Sequence, residues 1–203
     1  MARLDHMDGH PLTAKGRATR ERILAVAAEL VLRQGVAGTH LDDVRRAAGV
    51  SGSQLTHYFR DKQTLIDDVI AWQADLTLEG EPVLDSFDAW RRWADQVVAR
   101  QAARKFEGGC DFGSLAGQLA ETSPGTRARL ADGYDRWLEH FRHNLDTMRD
   151  QGLLRPDADP DSLANMMLAA MQGGVLLSQT LRRPDPLRDS LDAALARLVS
   201  FAQ

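Results

Sequence analysis

The chain holds one cysteine, Cys110, among 203 residues. A disulfide framework within the chain is thereby excluded, and a reducing, cytoplasmic setting is expected. No stretch approaches the ~20 apolar residues that a membrane-spanning helix needs, so no membrane partner is expected. The opening MARLDHMDGHPLTAKG lacks the apolar run of a secretory signal. No segment alternates apolar and polar residues for long enough to suggest a sheet, and no repeat of fixed period occurs. No nucleophile stands at a spacing that pairs it with a base, so no enzyme is expected. His140 and His143 lie three apart beside Glu139, but no second ligand cluster follows, which favours a surface histidine pair over a metal site. His6 and His10, near Asp5 and Asp8, belong to a loose terminus on the same reasoning. Neither a metal nor a cofactor is implied.

What is present is helical. Hydrophobic residues make up 43% of the chain, an ordinary share for a folded globular protein. The net charge of −4 at first argues against nucleic acid. Its distribution reverses that. Residues 1–62 carry ten Lys/Arg against seven Asp/Glu, and the acidic excess lies entirely in the remainder. A mildly positive head on an acidic body is a weak electrostatic footprint for DNA.

The most informative stretch is THLDDVRRAAGVSGSQLTHYFRDK, residues 39–62. Thr39 is placed to cap a short helix in which Leu41, Val44 and Ala48 share one face. Gly49 then makes the turn and Val50 packs into the angle. Ser51 opens a second helix, and Gln54 three residues on completes a Ser-x-x-Gln capping box. Leu55 and Phe59 point inward, and Asp61 caps the helix that follows. A helix, a glycine turn and a capped helix make a helix-turn-helix, whose second helix fits the DNA major groove. Gly52, Ser53, Gln54, Thr56 and His57 are then the residues that face bases and phosphates, together with Ser51 at the cap. Gln54 is the expected base reader, since its amide matches an adenine edge through two contacts.

The cations around this unit are placed against helix stability. Lys62 lies in the first turn of its helix, and Lys15, Arg17, Arg20 and Arg22 open the first helix, where the macrodipole disfavours positive charge. A phosphate reverses that penalty, so Arg17 and Thr19 are phosphate-contact candidates. Arg45 either reaches the DNA backbone or minor groove, or pairs with Asp42 three residues earlier.

The order Leu41-Asp42-Asp43-Val44, Ala47-Ala48-Gly49-Val50-Ser51, Leu55, His57-Tyr58-Phe59, Lys62 and Leu65 resembles the DNA-binding signature of the tetracycline-repressor (TetR) family. The resemblance implies an all-α homodimer, with a three-helix DNA-binding domain and a helical C-terminal domain for ligand binding and dimerisation. It also implies phosphate contacts at Tyr58 and Lys62. Two positions depart from the family pattern. Gly52 stands where Lys, Arg or Pro is frequent, and Thr56 stands where a phosphate-touching Tyr is frequent. These departures keep open a helical interaction module without specific DNA binding.

The expected organisation is an arm (1–15) read as flexible, a helix-turn-helix domain (16–62) with a linking helix over 62–79, and a helical body (80–203). In the first helix Ile23, Ala27, Leu30 and Val31 form the stripe, and Gly35 ends it. Asp159-Pro160 and Asp185-Pro186 each pair a cap with a following proline to start the last two helices. Those helices are the expected dimer interface, through Met167, Met171, Gly174, Val175 and Ser178 on one and Leu191, Leu195 and Leu198 on the other.

The resemblance further implies a pocket in the body for a small, largely apolar effector. Trp90, Trp93, Phe112, Leu115, Trp137, Phe141, Met167 and Met171 are its expected walls, with Gln118, Gln172 and His140 as polar contacts. Cys110 follows two glycines and precedes a helix, a setting that can activate a thiol for electrophile or oxidant sensing. An inert packed cysteine is the competing reading. The functional expectation is a repressor that leaves a palindromic double-stranded operator when effector binds.

Overall fold

The computed structural model describes residues 6, 7 and 10–203, with side chains from Leu12 onward. The proposed arm falls partly outside these residues, and the metal reading of Asp5, His6, Asp8 and His10 lies wholly outside the described side chains. Two short strands, β1 (His6–Met7) and β2 (His10–Pro11), pair antiparallel, with His6 opposite Pro11. Everything beyond them in the named elements is α-helix. The chain divides into two compact units, one of residues 1–79 with 114–133, the other of 80–113 with 134–203. Residues 114–133, placed in the body on sequence alone, thus cluster with the N-terminal unit.

In the first unit, α1 (Ala14–Gly38) is capped by Thr13, whose Oγ1 accepts from Gly16 N at 3.1 Å. Gly35 interrupts it at φ +76, a value open to glycine at little cost. The break frees the Val36 N–H, which donates to Gln118 Oε1 at 3.0 Å. It also brings Thr39 round so that its hydroxyl donates to the Gly35 carbonyl at 2.8 Å. Thr39 is therefore buried and spent; His40, one residue on, is the cap of α2 (Leu41–Ala48). Ile23, Leu24, Ala27 and Val31 of α1 pack with Leu65, Val69 and Ile70 of α4 (Lys62–Leu78), all essentially inaccessible. Each Val, Leu or Ile buried in this way contributes roughly 1.5–3 kcal/mol. Arg20, only 7% exposed, crosses this core edge to Asp68 and lies over the Phe59 ring at 5.5 Å.

In the second unit, Ser86 caps α5 (Phe87–Ala103). The helix stops at Ala103, and Lys105 and Phe106 turn to positive φ just beyond it. A short helix, α6 (Asp111–Leu119), follows. The long helix α7 (Pro124–Asp150) has its first ten residues in the first unit and starts after Ser123, whose Oγ accepts from Thr126 N at 3.1 Å. Asp159 caps α8 (Pro160–Leu181) with proline at its first position, as expected. Asp185 does not cap α9 (Asp185–Val199); it is the first residue of that helix. Ser178 of α8 supplies the missing acceptor, taking the buried Leu187 N–H at 3.1 Å. This link, and the absence of a side chain at Gly174, let α8 and α9 approach closely: a Cβ on Gly174 would lie 2.8 Å from Leu187 Cα.

Within one chain, that packing already buries the residues expected at the dimer interface. Met167, Met171, Val175, Leu191, Leu195 and Leu198 are at most 5% exposed within one chain, and Gly174 and Ser178 are buried with them. They form the intramolecular core of α8 against α9. The large apolar residues left outside are Leu176, Leu177 and Leu181 on α8 and Val199 on α9.

Candidate nucleic-acid interface

The recognition segment is built by local chemistry. Gly49 ends α2 in the left-handed region, at φ +63, and its N–H closes onto Arg45 and Arg46 carbonyls. Val50 is buried in the turn. Ser51 then caps α3 (Gly52–Tyr58) reciprocally: Gln54 N donates to Ser51 Oγ at 3.1 Å, and Ser51 N donates to Gln54 Oε1 at 2.9 Å. Leu55 and Phe59 anchor the helix in the core. Asp61 caps α4 by accepting from Thr64 N at 2.7 Å, and that bond holds its carboxyl below the usual carboxylate range.

With Leu55 turned inward, Ser51, Gly52, Ser53, Gln54, Thr56 and His57 are all exposed on the other side of α3. Tyr58 is half-buried and meets the His57 ring edge-on at 5.1 Å. The structure thus brings the predicted reading face together. It also changes what two members offer. Gln54 spends its carbonyl oxygen on the cap and leaves its amide donor free, so a two-point adenine contact requires the carbonyl to leave the cap. Thr56 directs its hydroxyl hydrogen to Gly52 O at 3.0 Å and keeps only acceptor capacity outward. At Gly52 an added Cβ would meet nothing within 4 Å, so the fold itself does not ask for glycine there.

The surrounding cations divide. Arg45 pairs with Asp42 at 2.8 Å, and this guanidinium lowers the Asp42 carboxyl; the ion-pair alternative is the arrangement seen. Arg46 pairs likewise with Asp43. Arg17 is exposed, with Nη1 on the Leu12 carbonyl at 2.8 Å, and Thr19 bonds Lys15 O within its own helix. Lys62, half-buried, extends its Nζ to within 3.4 Å of Ala37 O.

The residues expected to bind effector do not form one group. Trp90, Trp93 and Phe141 form an edge-to-face trio with centroids 5.0–5.7 Å apart, and Trp137 joins Phe141 at 6.3 Å. Phe112 sits on Tyr134 at 4.9 Å, and burial pushes the Tyr134 hydroxyl up to about 12. Met167 and Met171 belong to the α8–α9 core. Gln118 serves the break after Gly35, and Leu115 is buried in the same unit as Gln118. Gln172 donates to Cys110 Sγ at 3.4 Å. Burial pushes the Cys110 thiol up, against the direction expected for a helix start; Gly113 N and Gln172 only partly offset it. His140 bonds the Pro82 carbonyl at 3.2 Å, and Glu139 is held by Arg142 rather than by the histidines. Among the described residues no group of three potential metal ligands occurs.

Sequence reasoning passed over Glu81. It lies between Gly80 and Pro82 in a break, where no periodicity marks a residue as buried. Its carboxyl is nonetheless half-buried, and burial pushes it up. It also passed over Leu176 and Leu177, although two adjacent leucines beside a buried valine put apolar residues on both faces of α8.

An exposed polar second helix, rigidly capped behind a glycine turn, is the arrangement of a helix-turn-helix DNA-binding unit. Residues 23–69 match the family described as bacterial regulatory proteins, tetR family, and residues 86–194 match the tetracyclin repressor-like C-terminal domain. The chain belongs to the TetR family. Among its relatives, the HTH-type transcriptional repressor DhaR of Mycobacterium sp. (strain GP1) is 24% identical over 89% of this chain and 92% of its own length. The transcriptional regulator AcuR of Cereibacter sphaeroides is 26% identical, covering 82% of this chain and 79% of its own. A TetR transcriptional regulator of Chloroflexus aurantiacus superposes with a TM-score of 0.78 at 27% identity, over 94% of this chain and 98% of that one. No helix among the described residues is long and apolar enough to cross a membrane.

Proposed function

We propose that the protein is a cytoplasmic homodimeric repressor that occupies a palindromic operator and leaves it when a small, largely apolar molecule binds its body. The observation that carries the dimer is the apolar surface on α8: Leu176, Leu177 and Leu181 are 62%, 53% and 50% exposed. Adjacent apolar residues left open to water mark an association surface. A symmetric pair of chains places two α3 helices at the ~34–36 Å spacing of successive major grooves. The DhaR relative is a repressor by name, which supports the same mode here.

Ser51, Gly52, Ser53, Gln54, Thr56 and His57 read the groove, while Tyr58, Lys62, Arg17 and Thr19 hold phosphates. Arg45 contributes to the backbone only by exchanging Asp42 for phosphate. The effector acts by binding the DNA-incompetent arrangement more tightly than the DNA-bound one, and that difference in affinity is the whole signal. A thiol switch at Cys110 is less well supported, because burial disfavours its thiolate.

Fluorescence anisotropy tests this reading, with duplex DNA from upstream of the protein's own gene beside a scrambled duplex, across a salt series. Tight binding to the first alone, released by an effector from a small-molecule screen, is expected. Equal weak binding to both, repeated with duplexes selected from a random library, overturns it.

A further inference from the structure

Four polar atoms of the second unit are buried without a hydrogen-bond partner: Nε1 of Trp90, Trp93 and Trp137, and Oε2 of Glu81. They are not scattered. All three indoles pack against the one ring of Phe141. Trp93 lies close enough to Glu81 to draw its carboxyl down, although neither Trp93 Nε1 nor Glu81 Oε2 has a bond of proper geometry. The indoles are 0%, 1% and 5% exposed. Buried polar groups are nearly always satisfied, so a concentration of orphans at one place calls for a group that completes them.

The chemistry of the four atoms restricts that group. An indole N–H only donates, and a carboxylate oxygen accepts. A hydroxyl answers both with a single atom, its oxygen accepting from an indole and its hydrogen passing to Glu81 Oε2. The edge-to-face rings around it offer flat apolar walls. A cation is disfavoured, since the Arg100 guanidinium already supplies positive charge to Glu81. Glu81 is also the only one of the four residues that is not fully buried, which puts the polar end of the cluster nearest to solvent.

We infer that Trp90, Trp93, Trp137, Phe141 and Glu81 bind a small, flat, apolar molecule bearing a hydroxyl, with Glu81 and the indole of Trp93 sharing that hydroxyl. The inference rests on the reading that the body takes an effector, and it names the class of effector.

Isothermal titration calorimetry of the full chain with p-cresol, toluene and benzyltrimethylammonium tests it. p-Cresol and toluene differ only in the hydroxyl, so p-cresol should bind at least about fivefold tighter, the worth of a hydrogen bond or two. Trp93→Phe, checked for native circular dichroism, keeps an aromatic ring and should narrow the preference to below about twofold. The proposal is overturned if toluene matches p-cresol, if the ammonium binds best, or if no probe binds up to its solubility. The matched pair on the unaltered protein decides the matter even if the variant misfolds. Operator binding measured in parallel separates the two readings. Binding of p-cresol without DNA release leaves the site standing and removes its regulatory role. Operator binding without p-cresol binding removes the site alone.

Discussion

Arg20 Nη2 lies 2.6 Å from Asp68 Oδ2, a part-buried ion pair that ties α1 to α4 across the edge of the DNA-binding unit. Burial raises the Asp68 carboxyl, and Arg20 works against that rise without cancelling it. The folded state therefore holds the Asp68 proton more tightly than the unfolded chain. This contribution favours folding at acid pH and is lost as pH rises through the folded pKa. Arg20→Met leaves the carboxylate uncompensated and should destabilise the protein by about 2 kcal/mol at neutral pH, less than a fully buried pair would lose. Near about pH 4, where carboxylates protonate, the deficit should shrink. Urea denaturation at the two pH values checks this; an equal deficit at both would mean that packing on Phe59, not the charge, is what Arg20 supplies.

The Ser51–Gln54 box holds the start of α3. Ser51→Ala should cost about 1 kcal/mol of stability. It should also leave the Gln54 N–H without its acceptor and loosen the reading face, so operator affinity should fall by more than affinity for a scrambled duplex. Anisotropy on both duplexes measures the difference.

Gly52 has open space around it and no positive φ. Gly52→Ala should therefore stabilise the fold, by roughly 0.4–1 kcal/mol. If DNA backbone approaches closely at this point, the same methyl weakens operator binding. The expected result is a higher Tm with a lower operator affinity; a gain in both would show that nothing approaches Gly52.

Leu177→Glu places a charge on the exposed face of α8 and should convert the proposed dimer to monomer in light scattering, with unchanged circular dichroism. Leu191→Ala, in the core between α8 and α9, should instead lower stability by about 2–5 kcal/mol while the remaining folded protein stays dimeric. Dissociation by the second change and not the first would return the interface to the buried face.

With its pKa raised, the Cys110 thiol carries little thiolate at pH 7.5. Its alkylation by iodoacetamide should be at least about tenfold slower in the native protein than in denaturant. Faster reaction in the native state would revive the thiol-switch reading.

The sequence alone determined the local structure of the DNA-binding segment. Gly49, the Ser51–Gln54 pair, Asp61 and the inward Leu55 and Phe59 act within a turn or two of the backbone, so their geometry follows from neighbours in the chain. Asp159-Pro160 was legible for the same reason. The tertiary structure decided which partner each apolar stripe and polar side chain meets. Helical spacing showed that Met167, Met171, Leu191 and Leu195 share apolar faces, but a stripe is the same whether a second helix of the chain or a second chain covers it. Only the approach of α8 to α9 at Gly174 turned those residues inward and left Leu176 and Leu177 outside. Thr39 lost the cap to His40 because the break at Gly35 turns its hydroxyl back to the Gly35 carbonyl, four residues earlier. Gln118, Cys110 and Glu81 took their roles from residues tens of positions away, and burial by distant chain is what no local pattern encodes.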